Sequence, residues 1–296
     1  MLTFKPIEKD KIDLYREYYN DENAIGCEFN FVSGYLWNEE YRLRVAFFDG
    51  TLIKAYFRPD GRVWGYCMPR GKNVKGAVEA VFDDAAGRGQ AVSFAYMSLS
   101  EKEELESLFP NRFVFRREPD NQDYIYLSRD LATLEGKKYH AKRNHISKFY
   151  RTYSDSVCFK TLGEESLGDA KRVMKLWCEE NGINPAALGE YKVFLRACSD
   201  FSALKMQGAV LYVEKKPVAV TMGCPISQRC FDIMFEKALR EYDGVYAAIN
   251  NEFAKTLTGY EYINREEDMG LEGLKKSKLS YHPAIIYDRF SAKPND

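Results

Sequence analysis

The segment from Glu135 to Tyr153, EGKKYHAKRNHISKFYRTY, decides how this chain divides. It holds six Lys and Arg residues, two of the three histidines and four aromatic rings, and it stands between two stretches with the same order of elements. Upstream, YRLRVAFF (41–48) and TLIKAYFR (51–58) flank Asp49-Gly50, a hairpin signal of the type that needs positive φ at both turn positions. A second turn at 59–61 (PDG) leads into RVWGYCM (62–68). A helix over 73–89 follows, with apolar residues at helical spacing and a closing glycine. AVSFAYMSL (91–99) reads as a buried strand, SEKEELESLF (100–109) as a serine-capped helix, and YIYLS (124–128) as a further strand.

Downstream the order recurs. An amphipathic helix over 169–181 precedes a hairpin over 208–226, turning at its Lys-Lys-Pro. A strand over 229–238, a helix over 244–257, a strand over 260–266, a helix over 270–278 and a last strand over 284–290 complete it. Strand, strand, strand, helix, strand, helix thus occurs twice. The repeat lies in element order, not residue identity. It predicts an α+β chain of two tandem domains with mainly antiparallel mixed sheets, 1–135 and 136–296. The second domain opens with the basic helix 137–151. A single large α/β domain is the alternative.

Composition narrows the function. The chain has 296 residues, 45% hydrophobic and 15% aromatic, enough for packed cores and against general disorder. Forty-three basic residues meet forty-four acidic ones, so no global field draws it to nucleic acid or anionic membrane. Attraction of that kind must be local. The seven cysteines (27, 67, 158, 178, 198, 224, 230) form no Cys-x-x-Cys pair, which predicts reduced thiols, no metal site and a cytoplasmic location. No secretory leader is visible, and no apolar run reaches the roughly 18 residues of a membrane span.

In the basic segment, Tyr139, Ile146, Tyr150 and Tyr153 share one helical face. Lys138, Lys142 and His145 fall on a neighbouring face, and His140, Asn144, Lys148 and Arg151 on another. Such a helix is either a solvated linker or a grip on phosphate.

The residues DNQDYIYLSRDLATLEGKKYHAKRNHISKFYR (120–151) resemble the central signature of a bacterial family related to the C-terminal domain of phosphatidylglycerol lysyltransferase. Asp123, Tyr124 and Tyr126, then Leu134, Gly136 to His140 and Lys142 to Ile146, carry the match. Further blocks are similar at 263–283, 235–253 and, more weakly, 29–41. The resemblance implies two tandem GNAT-like domains, of the acyl-CoA N-acyltransferase type, as in Fem-type peptidyltransferases. It implies an acyl- or aminoacyltransferase whose donor is aminoacyl-tRNA or acyl-CoA, with no tightly bound cofactor. The acceptor would be an amine or hydroxyl on a phosphate-bearing molecule, with peripheral membrane contact if that is a lipid. An acyl-CoA N-acetyltransferase and a non-catalytic binding member are the alternatives.

On that reading Lys138, Lys142, Arg143, Asn144 and His145 hold phosphate. Gly244, Val245 and Tyr246 form the donor-binding helix entry, where backbone N–H groups meet a pyrophosphate in GNAT enzymes. Glu241 and the bulky Tyr246 depart from the small or basic residues expected there, which counts against acyl-CoA. Glu236, ending a strand beside Phe235, is the candidate base, or else an ion-pair partner of Lys237 or Arg240. Asp268 would hold an α-amino group and Arg265 a carboxylate or phosphate. Tyr281 would donate a proton to the leaving group. Lys278 and His282, with Lys275 and Lys276, make a second phosphate contact or a solvated helix end.

Overall fold

The computed structural model describes residues 1–295. Two short helices, α1 (Ile12–Glu17) and α2 (Phe31–Trp37), precede the first sheet strands β1 (Leu43–Phe48), β2 (Thr51–Phe57), β3 (Val63–Tyr66) and β4 (Arg70–Gly71). Then come α3 (Val74–Gly87), β5 (Phe94–Met97), α4 (Leu99–Leu108), β6 (Phe113–Arg117) and β7 (Asp123–Leu127). Helices α5 (Ser128–Thr133) and α6 (His140–Tyr153) lead to β8 (Val157–Thr161), α7 (Leu167–Glu180) and α8 (Gly189–Ser199). The last part is β9 (Gln207–Val213), β10 (Lys216–Pro225), β11 (Cys230–Ala238), α9 (Val245–Thr256), β12 (Tyr262–Asn264), α10 (Glu272–Leu279), β13 (Ile285–Tyr287) and β14 (Phe290–Pro294).

Local chemistry explains most boundaries. Asp49 and Gly50 both take positive φ, as the β1–β2 hairpin requires. The β9–β10 turn instead uses Glu214 and Lys215, at φ 51° and 65°, and Pro217 falls inside β10. Helix α4 starts two residues earlier than the sequence suggests: its cap is Ser98, not Ser100, and Ser98 and Glu101 cap each other reciprocally. Seven elements have no counterpart in the sequence reading: α1, α2, β4, β6, α5, β8 and α8. Each is short or only partly amphipathic, and its pattern becomes meaningful only against a neighbour.

The strands form two sheets of seven. The first runs β1-β2-β3-β5-β14-β6, with β4 beside β2; the second runs β13-β7-β12-β11-β10-β9-β8. Each has a single parallel pair, β3 with β5 and β11 with β12, closed by a crossover helix (α3 or α9). The duplicated element order is therefore a duplicated topology. One feature departs from simple tandem packing. In each sheet, the strand next to the parallel pair comes from the other half. β7 lies between β12 and β13, and β14 lies between β5 and β6. A cut at 135/136 thus leaves each half without a central strand of its own sheet. The segment 284–290 is two strands, broken at Asp288-Arg289, where the chain crosses from the second sheet to the first.

A common core follows from this exchange. Tyr15, Phe31, Tyr35, Leu36 and Val45 of the first half pack in one cluster with Val173, Phe194, Met222 and Phe235 of the second. At the crossing point Arg289 is 2% exposed. Its Nη2 lies 2.6 Å from Asp123 Oδ2 and 2.5 Å from Glu28. Removing one member of a buried ion pair leaves its partner charged and unsolvated, at a cost of about 3–5 kcal/mol. Arg289→Met is therefore expected to lower the unfolding free energy by about that much in urea, in one transition sensed equally by Trp64 and Trp177. A loss confined to one half would contradict the shared crossing.

Candidate functional site

The site begins with a glycine. Gly244 caps α9 at φ 88°, and an added Cβ would stand 2.4 Å from the backbone oxygen of His145 and 3.1 Å from Cβ of Phe149. Only glycine fits both the conformation and the approach. It lets α6 press its backbone against the entry of α9. Helix α6 is anchored there by Phe149, its one buried residue, with Tyr150 and Tyr153 packed beside it. Ile146, expected on the apolar face, is only half-buried.

A cavity of about 290 Å³ opens at this junction. Lys142 and His145 come from α6, Glu236 from β11, Gly244, Val245 and Tyr246 from the entry of α9, Arg265 from the loop after β12, and Tyr281 from beyond α10. Eight residues singled out in the sequence therefore meet in one place. Arg240, Asp243 and Ser277 join them.

The charges are arranged in a definite way. Glu236 pairs neither with Lys237 nor with Arg240. Its Oε1 lies 2.8 Å from Arg265 Nη2, and its Oε2 accepts from Asn250 Nδ2 at 3.0 Å. Lys237 is held by Glu190 at 2.9 Å, and the Arg240 backbone N–H by Glu180. Arg265 Nη1 is buried and has no hydrogen-bond partner among the described residues; the same holds for Asn250 Oδ1 and Thr221 Oγ1. Thr221 stands opposite Glu236 across β10 and β11. Lys142 Nζ sits 3.7 Å from the centroid of the Tyr281 ring, and Arg265 4.9 Å from it. Burial and the neighbouring Arg265 charge push the Lys142 pKa down to about 8, against the pull of Glu236. Burial pushes the Tyr281 hydroxyl up to about 12. The cavity thus offers a guanidinium with a free N–H, an amine partly neutral near pH 8, and a phenol that stays protonated. At the helix entry, the Tyr246 hydroxyl accepts from Trp177 Nε1 at 3.0 Å.

Six other predicted site residues lie outside the cavity lining, each for a visible reason. Arg143 Nη1 donates to the carbonyls of Leu134 and, at 2.8 Å, Gly136, so it closes the turn into α6. Lys138 pairs with Asp130 at 3.1 Å. Asn144 is exposed, and its Nδ2 lies 3.3 Å from His140 Nδ1. His282 stacks edge-on against Tyr139 and its Nε2 lies 3.1 Å from the Lys138 carbonyl. Lys278 is buried, and its three donors meet the carbonyls of Arg265, Glu266 (3.0 Å) and Glu267 (2.6 Å). Asp268 accepts from the Tyr124 hydroxyl and from the Gly270 N–H at 2.8 Å. Neither Lys278 nor Asp268 has a face left for substrate. Both shape the loop that presents Arg265. Asn250 escaped the sequence reading, although two adjacent asparagines inside an otherwise apolar helix were a signal.

A model of the phosphatidylglycerol lysyltransferase C-terminal family matches residues 20–293. The chain belongs to that family. A crystal structure of a conserved protein of unknown function from Bacteroides thetaiotaomicron VPI-5482 is 33% identical, superposes with a TM-score of 0.91, and each chain is covered in full. L-PGS from Bacillus licheniformis is 16% identical at a TM-score of 0.69, over 98% of this chain and 92% of that one. FemX is 10% identical at 0.57, over 99% and 97%. These likenesses establish a fold shared with L-PGS and FemX. An uncharacterised protein from Mycoplasmoides gallisepticum is 26% identical over 175 residues; the match spans 58% of this chain and little more than half of that protein, 56%. Among the described residues no helix is long and apolar enough to cross a membrane.

Two measurements check the site. Gly244→Ala is expected to destabilise by about 1–3 kcal/mol in chemical denaturation, through the forced φ and the contact with His145. Lys142 is expected to react with an amine-directed reagent with a midpoint near pH 8, because its lowered pKa raises the neutral fraction at neutral pH. That reactive amine should vanish in Lys142→Met. A first midpoint no lower than that of ordinary lysines would contradict the environment described.

Proposed function

We propose that this family member transfers an aminoacyl group from aminoacyl-tRNA to an amine or hydroxyl of a phosphate-bearing acceptor. The observation that carries the reading is Arg265, which lines the cavity with Lys142 and the entry of α9 and whose buried Nη1 has no hydrogen-bond partner among the described residues. A buried guanidinium with one N–H in an ion pair and another unpaired is ready for an anion. Acyl-CoA fits less well as donor, because the bulky Tyr246 and the acidic Asp243 line the helix entry where a pyrophosphate would rest. The supply of charged tRNA would place the reaction in the cytoplasm.

The chemistry is ester aminolysis or transesterification. The acceptor's nucleophile attacks the aminoacyl ester carbonyl and gives a tetrahedral oxyanion, and the ribose oxygen leaves. The proton lost by the nucleophile ends on that ribose oxygen. Neutral Lys142 can take the proton, and the Tyr281 hydroxyl can supply one to the leaving oxygen. Arg265 Nη1 can donate to the oxyanion while Glu236 and Asn250 fix the guanidinium and carboxylate in place.

The test is a binding and transfer assay with bulk charged tRNA, uncharged tRNA, acetyl-CoA and anionic lipid head groups. A thermal shift with charged tRNA that fades as salt rises, with transfer reduced about a hundredfold or more in Arg265→Gln, is the expected result. A salt-tolerant shift with acetyl-CoA alone would overturn the reading.

A further inference from the structure

The duplicated topology carries a duplicated cavity. In the second half, the cavity described above opens beyond the parallel pair β11 and β12, at the entry of the crossover helix α9. The same place in the first half lies beyond the parallel pair β3 and β5, at the entry of α3. A cavity of about 250 Å³ opens there. It is lined by Arg70 of β4 and Val74, the first residue of α3, by Glu101 and Glu104 of α4, and by Asp21 and Phe29.

Both cavities hold an arginine–glutamate pair, with the members exchanged. In the second half Arg265 follows the second parallel strand and Glu236 lies near the end of the first. In the first half Arg70 follows the first parallel strand, Glu101 follows the second, and Arg70 Nη2 lies 2.9 Å from Glu101 Oε1. Each arginine side chain is only 12% exposed, so neither pair is a loose surface contact. Glu101 is fully committed: its Oε2 accepts from the Ser98 N–H at 2.9 Å and closes the cap of α4. Arg70 is not. Its guanidinium carbon stands 3.8 Å from the Phe29 ring centroid and 5.2 Å from that of Tyr19. Its buried Nε has no hydrogen-bond partner among the described residues. A guanidinium has five N–H donors, and one bond to one carboxylate oxygen leaves most of them open. Two aromatic rings and a capped glutamate thus hold a donor fork in the cavity wall, ready for an oxyanion.

The other charges set the rest of the ligand. Asp21 and Glu104 are exposed where they line the cavity. Burial and then the charge of Glu101 raise the Glu104 carboxyl pKa, and Arg70 only partly offsets them. One basic residue therefore faces three acidic ones, whereas in the second half Lys142, Arg240 and Arg265 outnumber Glu236 and Asp243. A simple anion at Arg70 would be repelled by Asp21 and Glu104, and a simple cation by Arg70. A ligand with both signs satisfies each. A volume of about 250 Å³ is below the about 300–1,000 Å³ of sites for drug-sized ligands, so that ligand is small.

We propose that the N-terminal half carries a second ligand site, in which Arg70 holds the anionic group of a small zwitterion and Glu104, with Asp21, its ammonium group. The site is separate from the transfer cavity and does not depend on the transfer reading. Its anionic group is a carboxylate or a phosphate monoester, as in a free α-amino acid or an amino-alcohol phosphate. One duplicated scaffold then serves two ligands of different charge.

Calorimetry and saturation-transfer NMR on the full chain at neutral pH would use L-alanine and phosphoethanolamine as the two zwitterions. Acetate, inorganic phosphate and ethylamine serve as probes with one kind of charge. At least one zwitterion is expected to bind one-to-one, about tenfold or more tighter than any of those three, and the tighter zwitterion identifies the anionic group. Arg70→Gln should weaken it about tenfold or more, as for a lost charge-assisted bond. Glu104→Gln should weaken it about threefold or more, since an exposed charge contributes less. Arg265→Gln, in the other cavity, should leave it unchanged. Glu104→Gln alters an exposed side chain and keeps the test valid if Arg70→Gln does not fold. Binding of neither zwitterion, ethylamine bound as tightly as the zwitterions, unchanged affinity in Glu104→Gln, or loss of binding in Arg265→Gln would overturn the proposal. The probes need neither tRNA nor turnover, so failure here is distinguishable from failure of the transfer assay.

Discussion

The buried contact of Arg289 with Asp123 and Glu28 is the constraint on which the rest of the molecule depends. Asp123 opens β7, which the first half lends to the second sheet. Arg289 stands immediately before β14, which the second half lends to the first. A guanidinium planted between two carboxylates at this place fixes both crossings at once. An ion pair so buried is weak evidence for net stability, since desolvation offsets much of the attraction. Its value is in register. An alternative pairing that displaced either strand would strand a charge in the interior, and such alternatives are costly.

From that crossing the functional loop follows. Residues 265–268 leave β12 beside β7; Arg265 and Glu266 still bond Tyr124 through their backbones, but the carbonyls of Arg265 and Glu267 need a further partner. Lys278 supplies one, gathering three successive carbonyls, while Asp268 ties the far end to Tyr124 and Gly270. Buried lysines are rare because the ammonium loses its water. Here three carbonyls replace that water, and the ammonium in turn holds a loop that would otherwise leave its backbone unsatisfied. The consequence is a rigid seat for Arg265. The sequence reading gave Lys278 to phosphate because a lysine near a helix end looks solvated; only the packed loop shows that its charge points inward.

How much was legible divides along physical lines. Hairpins at Asp49-Gly50 and the helix of 73–89 could be read because their signals are local: turn chemistry, periodicity and a stop glycine. The exchange of β7 and β14 could not, because alternation says that a strand is half-buried and not which sheet it joins. YIYL and the residues around Asp288-Arg289 carry no mark of crossing. For the same reason the cluster of Cys27, Asp123 and Glu267, whose sulfur and carboxylate oxygens lie within 4.8 Å of one another, stayed hidden. Its members are scattered over some 240 positions and meet only once the sheets are exchanged. The cavity fared better. Glu236, Gly244, Arg265 and Lys142 were found through sheet position, a helix-entry glycine and family resemblance. Their pairing was not, since Glu236 had two nearer cations in sequence, Lys237 and Arg240, and the structure gives Lys237 to Glu190 and Glu236 to Arg265.

The placement of charge then divides at one loop. Arg265 lines a cavity rich in cations, whereas burial and the charges of Asp232 and Asp123 raise the carboxyl pKa values of the next two residues, Glu266 and Glu267. Opposite fields thus lie on either side of a single turn of backbone. In low dielectric both fields act strongly and neither is easily screened. Orientation of a charged substrate would come from the charge pattern itself, before any bond to the reacting carbonyl. A transferase working on an already activated ester needs positioning more than it needs a potent nucleophile. The exchange of strands brings the first half to the second sheet: Asn30 Nδ2 reaches Asp232 on β11 at 2.8 Å, and the Tyr124 hydroxyl on β7 holds Asp268 in the loop that presents Arg265.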